Sequence, residues 1–310
     1  AAKDPMNTEM KNISFDKLMS RVRGKIQFNA PMAKFTWFRT GGNADILFTP
    51  EDEEDLCFFL KTCPSDLPVM PLGVGSNLLI RDGGIEGVVI RLGKKFSQIT
   101  IQGDTVTAGA GAPDISVANA ALKNGLSGLA FLRGVPGTIG GALKMNAGAY
   151  GNEVKDIFKS ATAVDRSGKI YFLATNDMHF SYRHSEVPED FIFINATLIG
   201  RSKEKIKIKK RMDEIRENRE KSQPLRQRTG GSTFKNPVGK SAWKLIEDAG
   251  CRGLTIGNVK VSEKHCNFLI NVGGVNSQNI EDLGEEVRRR VMNNSGVKLE
   301  WEIKRVGRTI

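Results

Sequence analysis

Apolar residues recur along this chain with two periods, and the switches between them mark out short elements. Leu56, Phe59, Leu60 and Cys63 share one face at helical spacing. They follow Thr49-Pro50-Glu-Asp, where Thr49 can cap and Pro50 suits a first turn. Val69–Leu72 and Gly87–Leu92 read as short buried strands. Ile99 and Ile101, then Val106 and Ala108, alternate about Gly103-Asp104 in a hairpin pattern. Asp114 to Lys123 predicts a helix stopped by Gly125. Ala161–Val164 and Ile170–Phe172 bracket Arg166-Ser-Gly168 as a second hairpin, and Phe191–Ile199 is a long strand. Short strands and helices mixed in this way predict an α+β fold, not a doubly wound sheet.

Further on, Lys203–Ser222 is a long polar helix ended by Pro224, read as the connector into a new domain. Ser241–Ala249 predicts a helix stopped by Gly250, and strands follow around Val259 and at Phe268–Asn271. Ile280, Leu283, Val287 and Val291 line one face of a stronger helix before Gly296. A final strand runs from Val297 to Val306. The expected domains are a leading segment 1–29, subdomains 30–92 and 93–202, and a third domain 203–310. Within the leading segment, Ala1-Ala-Lys-Asp-Pro5 reads as a fusion remnant ahead of Met6 and lacks the apolar core of a signal peptide.

One stretch breaks the pattern. From Arg133 to Gly151 the chain is too rich in glycine for an ordinary helix or strand, and Gly73-Val-Gly-Ser-Asn-Leu78 and Gly109-Ala-Gly-Ala-Pro113 lie upstream. Glycine inside an element is destabilising, so such tracts mark sharp turns or backbone that approaches a ligand. Three of them favour a large anionic cofactor held by main-chain N–H groups. Two familiar phosphate motifs fail: Leu78 stands where a dinucleotide fingerprint needs its third glycine, and Phe234 replaces the leading glycine of a P-loop before Gly239-Lys-Ser241.

Composition narrows the class. The 310 residues are 39% hydrophobic and 26% charged, with no apolar run able to span a bilayer, which predicts a cytoplasmic protein of more than one domain. Four cysteines without Cys-x-x-Cys spacing and three histidines without helical pairing predict reduced thiols and no metal site. A formal charge of +11 allows nucleic acid as a partner, yet the basic stretch 203–228 contains Asp213, Glu214, Glu217 and Glu220 and no stacking aromatics. No nucleic-acid or membrane partner is expected, and a monomer is.

Eight motifs in order carry a resemblance over about Phe35 to Gly307. They are Phe38-Arg-Thr-Gly-Gly42, Gly73-Val-Gly-Ser-Asn77, Gly134-Val-Pro-Gly-Thr-Ile-Gly-Gly141, Asn146-Ala-Gly-Ala-Tyr-Gly151, Tyr182-Arg-His-Ser185, Gly231-Ser-Thr-Phe-Lys-Asn-Pro237, Ser262-Glu-Lys-His-Cys-Asn267 and Leu299-Glu-Trp-Glu302. The glycine tracts resemble the two-subdomain FAD-binding fold of the vanillyl-alcohol-oxidase (PCMH) type, followed here by an α+β substrate-binding domain. More narrowly, the chain resembles the UDP-N-acetylenolpyruvoylglucosamine reductase family, in its shorter type without the tyrosine-bearing loop that closes over substrate.

That resemblance implies FAD and NADPH as cofactors and UDP-N-acetylglucosamine-enolpyruvate as substrate, reduced to UDP-N-acetylmuramate for peptidoglycan. It implies Ser232 as proton donor, with a turn residue as the alternative. Arg183 would bind the substrate carboxylate, against surface pairing with Glu186 or Glu189. Glu302 would stabilise the enolic form from a buried, protonated carboxyl, with Glu300 as its rival on the same strand face. Gly73, Gly75, Ser76 and Asn77 would hold the pyrophosphate, with Gly137, Thr138, Gly140, Gly141 and Asn146 on the cofactor and Arg39 on the flavin edge or anchoring its loop. On the cofactor side, successive N–H groups would form an anion nest without a helix dipole. Lys235, Asn236, His265 and Tyr182 fall on the substrate side, His265 with a core position as its alternative and Tyr182 as a packing residue that positions Arg183. A flavin oxidase of the same fold and a basic RNA-binding protein are the competing classes.

Overall fold

The computed structural model describes residues 16–310, so the fusion remnant expected at 1–5 lies outside the described residues. The chain forms two compact units: one up to Phe28 with Ile46–Gly73 and Gly87–Ile215, the other of Asn29–Asp45, Val74–Glu86 and Arg216–Ile310.

The first unit is built on a five-stranded antiparallel sheet, in the order Ile170–Ala174, Phe158–Val164, Ile192–Ile199, Thr105–Gly109, Ile99–Gln102. Both predicted hairpins are its outer pairs. Val106, Ala108, Ala196 and Leu198 face a core shared with Val117 and Ala118 of the helix Asp114–Lys123. Strand Val69–Leu72 pairs in parallel with Ile85–Arg91 in a second sheet. The helix beside that sheet is Glu53–Thr62, burying Leu56, Phe59 and Leu60. Its cap is Asp52, whose carboxylate accepts from the Asp55 amide, and not Thr49. Asp55 is meanwhile turned back to accept from the amides of Arg23, Gly24 and Glu51, which places the helix start beyond Pro50.

One expectation needs correction. Gly140 and Gly141 lie inside a helix, Ile139–Met145, with Thr138 at its N-cap. Glycine is tolerated there because backbone packs on backbone: the Gly140 amide donates to Ala110 O at 2.9 Å, and a Cβ on Gly140 would come within 3.3 Å of that oxygen. The long polar helix expected at Lys203–Ser222 is present as Lys205–Ser222; it buries only Ile208, Met212 and Ile215, with Lys209 paired to Asp213 at 2.7 Å.

The second unit pairs Arg228–Ser232, Phe268–Asn271, Val259–Val261 and Thr255–Ile256 in an antiparallel sheet. Helices Ala242–Asp248 and Ser277–Ser295 pack on one core with Phe38, Leu79, Phe234 and Leu269. The longer helix ends at Gly296, whose φ of +73° suits the left-handed cap that glycine reaches without strain. The expected terminal strand Val297–Val306 is broken. Only Lys304–Val306 is a strand, parallel to Leu78–Ile80, while Trp301 bridges Phe234. Two partners in different directions cannot be met by one straight strand. Among the described residues no helix is long and apolar enough to cross a membrane.

Candidate active site

In the second unit, Ser232 closes the strand Arg228–Ser232 opposite Phe268, after a register shift between Thr229 and Ser232. Beyond it the chain changes partner. Phe234 bridges Trp301 with ring centroids 5.1 Å apart, the Lys235 amide donates to Glu300 O at 2.9 Å, and the Glu302 amide donates to Thr233 O at 2.8 Å. Asn267 fixes this crossing. Its carboxamide accepts from Phe234 N and donates to Phe234 O, and its carbonyl accepts from Thr233 N. Trp301 turns inward on Phe234, while Glu302 next to it is half-buried and Glu300 is exposed. Ser232 and Glu302 are thereby neighbours in one hydrogen-bonded framework.

The loop Gly75–Asn77 joins that framework. Asn77 O accepts from the Lys304 amide at 3.0 Å, and Gly75 O accepts from Trp37 N at 3.0 Å. Gly75 has φ +71°, and a Cβ there would meet Phe35 O at 2.0 Å, so only glycine fits. A Cβ on Gly231 would stand 3.7 Å from Ser76 O, which brings the loop beside the serine-bearing turn. The buried hydroxyls of Thr229 and Thr233, on either side of Gly230-Gly231-Ser232, have no hydrogen-bond partner. Arg39 is exposed and donates to Lys34 O at 2.6 Å, which serves the anchoring reading.

The substrate-side candidates divide. Lys235 is half-buried beside this crossing. Asn236 is exposed, and its side-chain oxygen accepts from Ala242 N at 2.9 Å, starting a helix. His265 has ring Nδ1 accepting from Asn267 N at 3.2 Å and its ring edge-on to Phe268, and burial holds its pKa down. A neutral ring of that tautomer orders the Asn267 turn. Asn267 carries the crossing, and sequence reasoning had it only as the last letter of a motif.

In the first unit, Gly73 faces Thr138: a Cβ on Gly73 would lie 2.9 Å from its Oγ1. The preceding Gly137 O accepts from the Asp114 amide at 2.9 Å, and Pro113 bridges Thr138. Asp114 is buried with both carboxyl oxygens unpartnered, and burial holds its carboxyl well above the usual carboxylate range. Sequence reasoning saw this residue only as a helix start. Asn146, fully buried at φ +42°, ends the helix Ile139–Met145. Its carboxamide donates to Glu153 and to Ser181 O and accepts from Lys155 N, so its donors are spent inside the protein. Arg183 lies in the turn that begins at Ser181, its guanidinium 4.9 Å from the exposed Tyr182 ring.

Residues 223–306 match the model of the UDP-N-acetylenolpyruvoylglucosamine reductase C-terminal domain, and residues 44–174 match that of an FAD binding domain. The UDP-N-acetylenolpyruvoylglucosamine reductase of Azorhizobium caulinodans is 57% identical over 289 residues, covering 93% of this chain and 94% of that relative. This chain belongs to the UDP-N-acetylenolpyruvoylglucosamine reductase family. The family's protein from Paramagnetospirillum magneticum is likewise 57% identical, over 300 residues, 97% of this chain and 98% of its own. The crystal structure of UDP-N-acetylenolpyruvylglucosamine reductase from Thermus caldophilus agrees in fold, with a TM-score of 0.79 at 32% identity over 92% of this chain and 99% of that one. The α+β architecture with an FAD-binding domain and the reductase C-terminal domain is thus that of the family.

The residues present fit FAD. In the first unit the bare surface of Gly73 faces Thr138 and the carboxyl oxygens of Asp114 lack a partner; in the second, Gly75 presents backbone where no side chain could stand. Gly140 and Gly141 are helical, so the glycine tract is not wholly the irregular N–H nest expected from the sequence.

Proposed function

We propose that this chain is an NADPH-dependent flavoenzyme that reduces the enolpyruvyl ether of UDP-N-acetylglucosamine-enolpyruvate to the lactyl ether of UDP-N-acetylmuramate, acting as a cytoplasmic monomer. FAD, when bound, would supply the hydride-transfer chemistry between NADPH and the terminal vinyl carbon. Every other part of the reaction falls to side chains. Arg183, a planar fork, pairs with the substrate carboxylate and fixes the plane of the double bond. As hydride arrives, negative charge grows on the inner carbon and its carboxylate. Glu302 donates a hydrogen bond to that enolic system, and Ser232 delivers the proton that completes the two-electron reduction. Lys235 and Asn236 take the diphosphate and uracil side, while Ser76, Asn77 and Thr138 with their glycines hold the cofactor.

The observation that carries this reading is the 2.8 Å hydrogen bond from Glu302 N to Thr233 O, which seats the glutamate one residue from Ser232 in a chain of this family. Anaerobic spectroscopy tests it. Addition of NADPH should bleach the yellow holoenzyme, and the enolpyruvyl substrate should then restore the colour. A flavin that NADPH bleaches and only oxygen restores would place the chain with the oxidases instead.

A further inference from the structure

The turn bearing Arg183 is not an independent loop. At its start, Ser181 O accepts from Asn146 Nδ2 at 2.9 Å; at its end, Ser185 donates to Lys144 O from its amide at 3.1 Å and from its hydroxyl at 2.8 Å. Ser181 and His184 exchange backbone hydrogen bonds between those two points, closing the turn on itself. Both Lys144 and Asn146 belong to the C-terminal end of the glycine-containing helix Ile139–Met145. Asn146 is held in turn by Lys155 N and Glu153, and Ser185 is buried. Arg183 itself has φ +50°, a conformation that a non-glycine residue holds only where its surroundings impose it. Its guanidinium runs against Gly148, two residues past Asn146: a Cβ built on Gly148 would come 2.5 Å from Nη1.

We propose that Asn146, Ser185 and Gly148 are positioning residues that hold the Arg183 turn as a rigid extension of the helix Ile139–Met145 and aim its guanidinium for the substrate carboxylate. This rests on the carboxylate-binding role assigned to Arg183 above. A long arginine on a free turn would lose side-chain and backbone freedom on binding substrate. The double attachment removes the backbone part in advance, and the bare Gly148 leaves a channel that sets the direction of the side chain. The seat also accounts for Asn146 spending its carboxamide on the protein.

The test uses oxidised holoenzyme without NADPH, so that the enolpyruvyl UDP-sugar binds and does not react, with affinity read by calorimetry. Gly148→Ala removes no charge and no hydrogen bond, yet its Cβ displaces the guanidinium and stands 3.0 Å from Asn152 O and 3.1 Å from Glu153 Cβ; Ser185→Ala removes one attachment of the turn without that crowding. Each should weaken binding by roughly 10-fold or more, with FAD content and the rate of flavin reduction by NADPH within about twofold of wild type. Ser185→Thr should recover most of the loss. In an Arg183→Ala background neither change should weaken binding further, because residues acting through one guanidinium are not additive. Losses that add in that background overturn the proposal, as does wild-type affinity in Gly148→Ala while Arg183→Ala binds poorly. Wild-type affinity in Arg183→Ala would overturn both the seat and the role assigned to the arginine.

Discussion

The Glu302 amide donates to Thr233 O at 2.8 Å, so the glutamate is pinned beside the peptide that follows Ser232. A proton donor and a group that steadies the developing enolate have to act on one small fragment, and this crossing fixes their backbones without relying on either side chain. Replacing Ser232 by alanine should therefore remove proton delivery and leave the framework standing. In stopped-flow experiments, Ser232→Ala should keep near-normal flavin reduction by NADPH and lose roughly 10²- to 10⁴-fold in reoxidation by substrate. Equal losses in both half-reactions would reject the assignment.

Glu300 and Glu302 flank Trp301, and their difference in burial separates them. Glu302 is half-buried, whereas Glu300 is exposed and lends its carbonyl to Lys235 N. Glu302→Gln should lower turnover by on the order of 10²-fold with little change in substrate affinity, as expected for an interaction made in the transition state. Glu300→Gln should stay within about threefold of wild type. The reverse ranking would move the role two residues back.

Elements that carry their own period were legible from the residues alone. The helices Asp114–Lys123 and Ser277–Ser295 and both hairpins follow directly from apolar spacing and glycine stops. The helix Ile139–Met145 was not, because Gly140-Gly141 hides it and only packing on Ala110 makes it stable. Nor was the break before Lys304, which arises from two partners remote in sequence, Phe234 and Leu78. Motif order pointed to Ser232, Glu302 and Arg183, yet the supports of these residues (Asn267, Asn146, Ser185) act across long separations that no local pattern records. Asp114 gave no functional signal because its burial comes from tertiary packing.

Gly73 offers a test confined to the cofactor. Its conformation does not require glycine, but a Cβ would stand 2.9 Å from Thr138 Oγ1, and the proposed role of this loop is to present bare backbone to the dinucleotide. Gly73→Ala should weaken FAD by roughly 10-fold in reconstitution titrations while the apoprotein melts at an unchanged temperature. Gly75→Ala is the contrasting case. Its Cβ would meet the Phe35 carbonyl at 2.0 Å from a left-handed backbone, and the folded protein itself should be lost. Equal melting of the two apoproteins would contradict the distinction.

Asp114 ties stability to pH. Burial without a partner keeps its carboxyl protonated in the folded chain well above the usual range. The unfolded chain releases that proton above about pH 4. Between that point and the raised folded value the native state therefore binds one more proton than the unfolded state, so stability falls as pH rises. The slope for one proton is about 1.4 kcal/mol per pH unit, complete once pH exceeds the folded value. Asp114→Asn has no proton to lose and should erase this slope. Thermal unfolding of the holoenzyme from pH 5 to pH 8 should show wild type falling relative to Asp114→Asn as pH increases, with the two closest at the acid end. If the gap instead widens toward acid, Asp114 is ionised in the native state and paired with a cation that burial alone does not reveal.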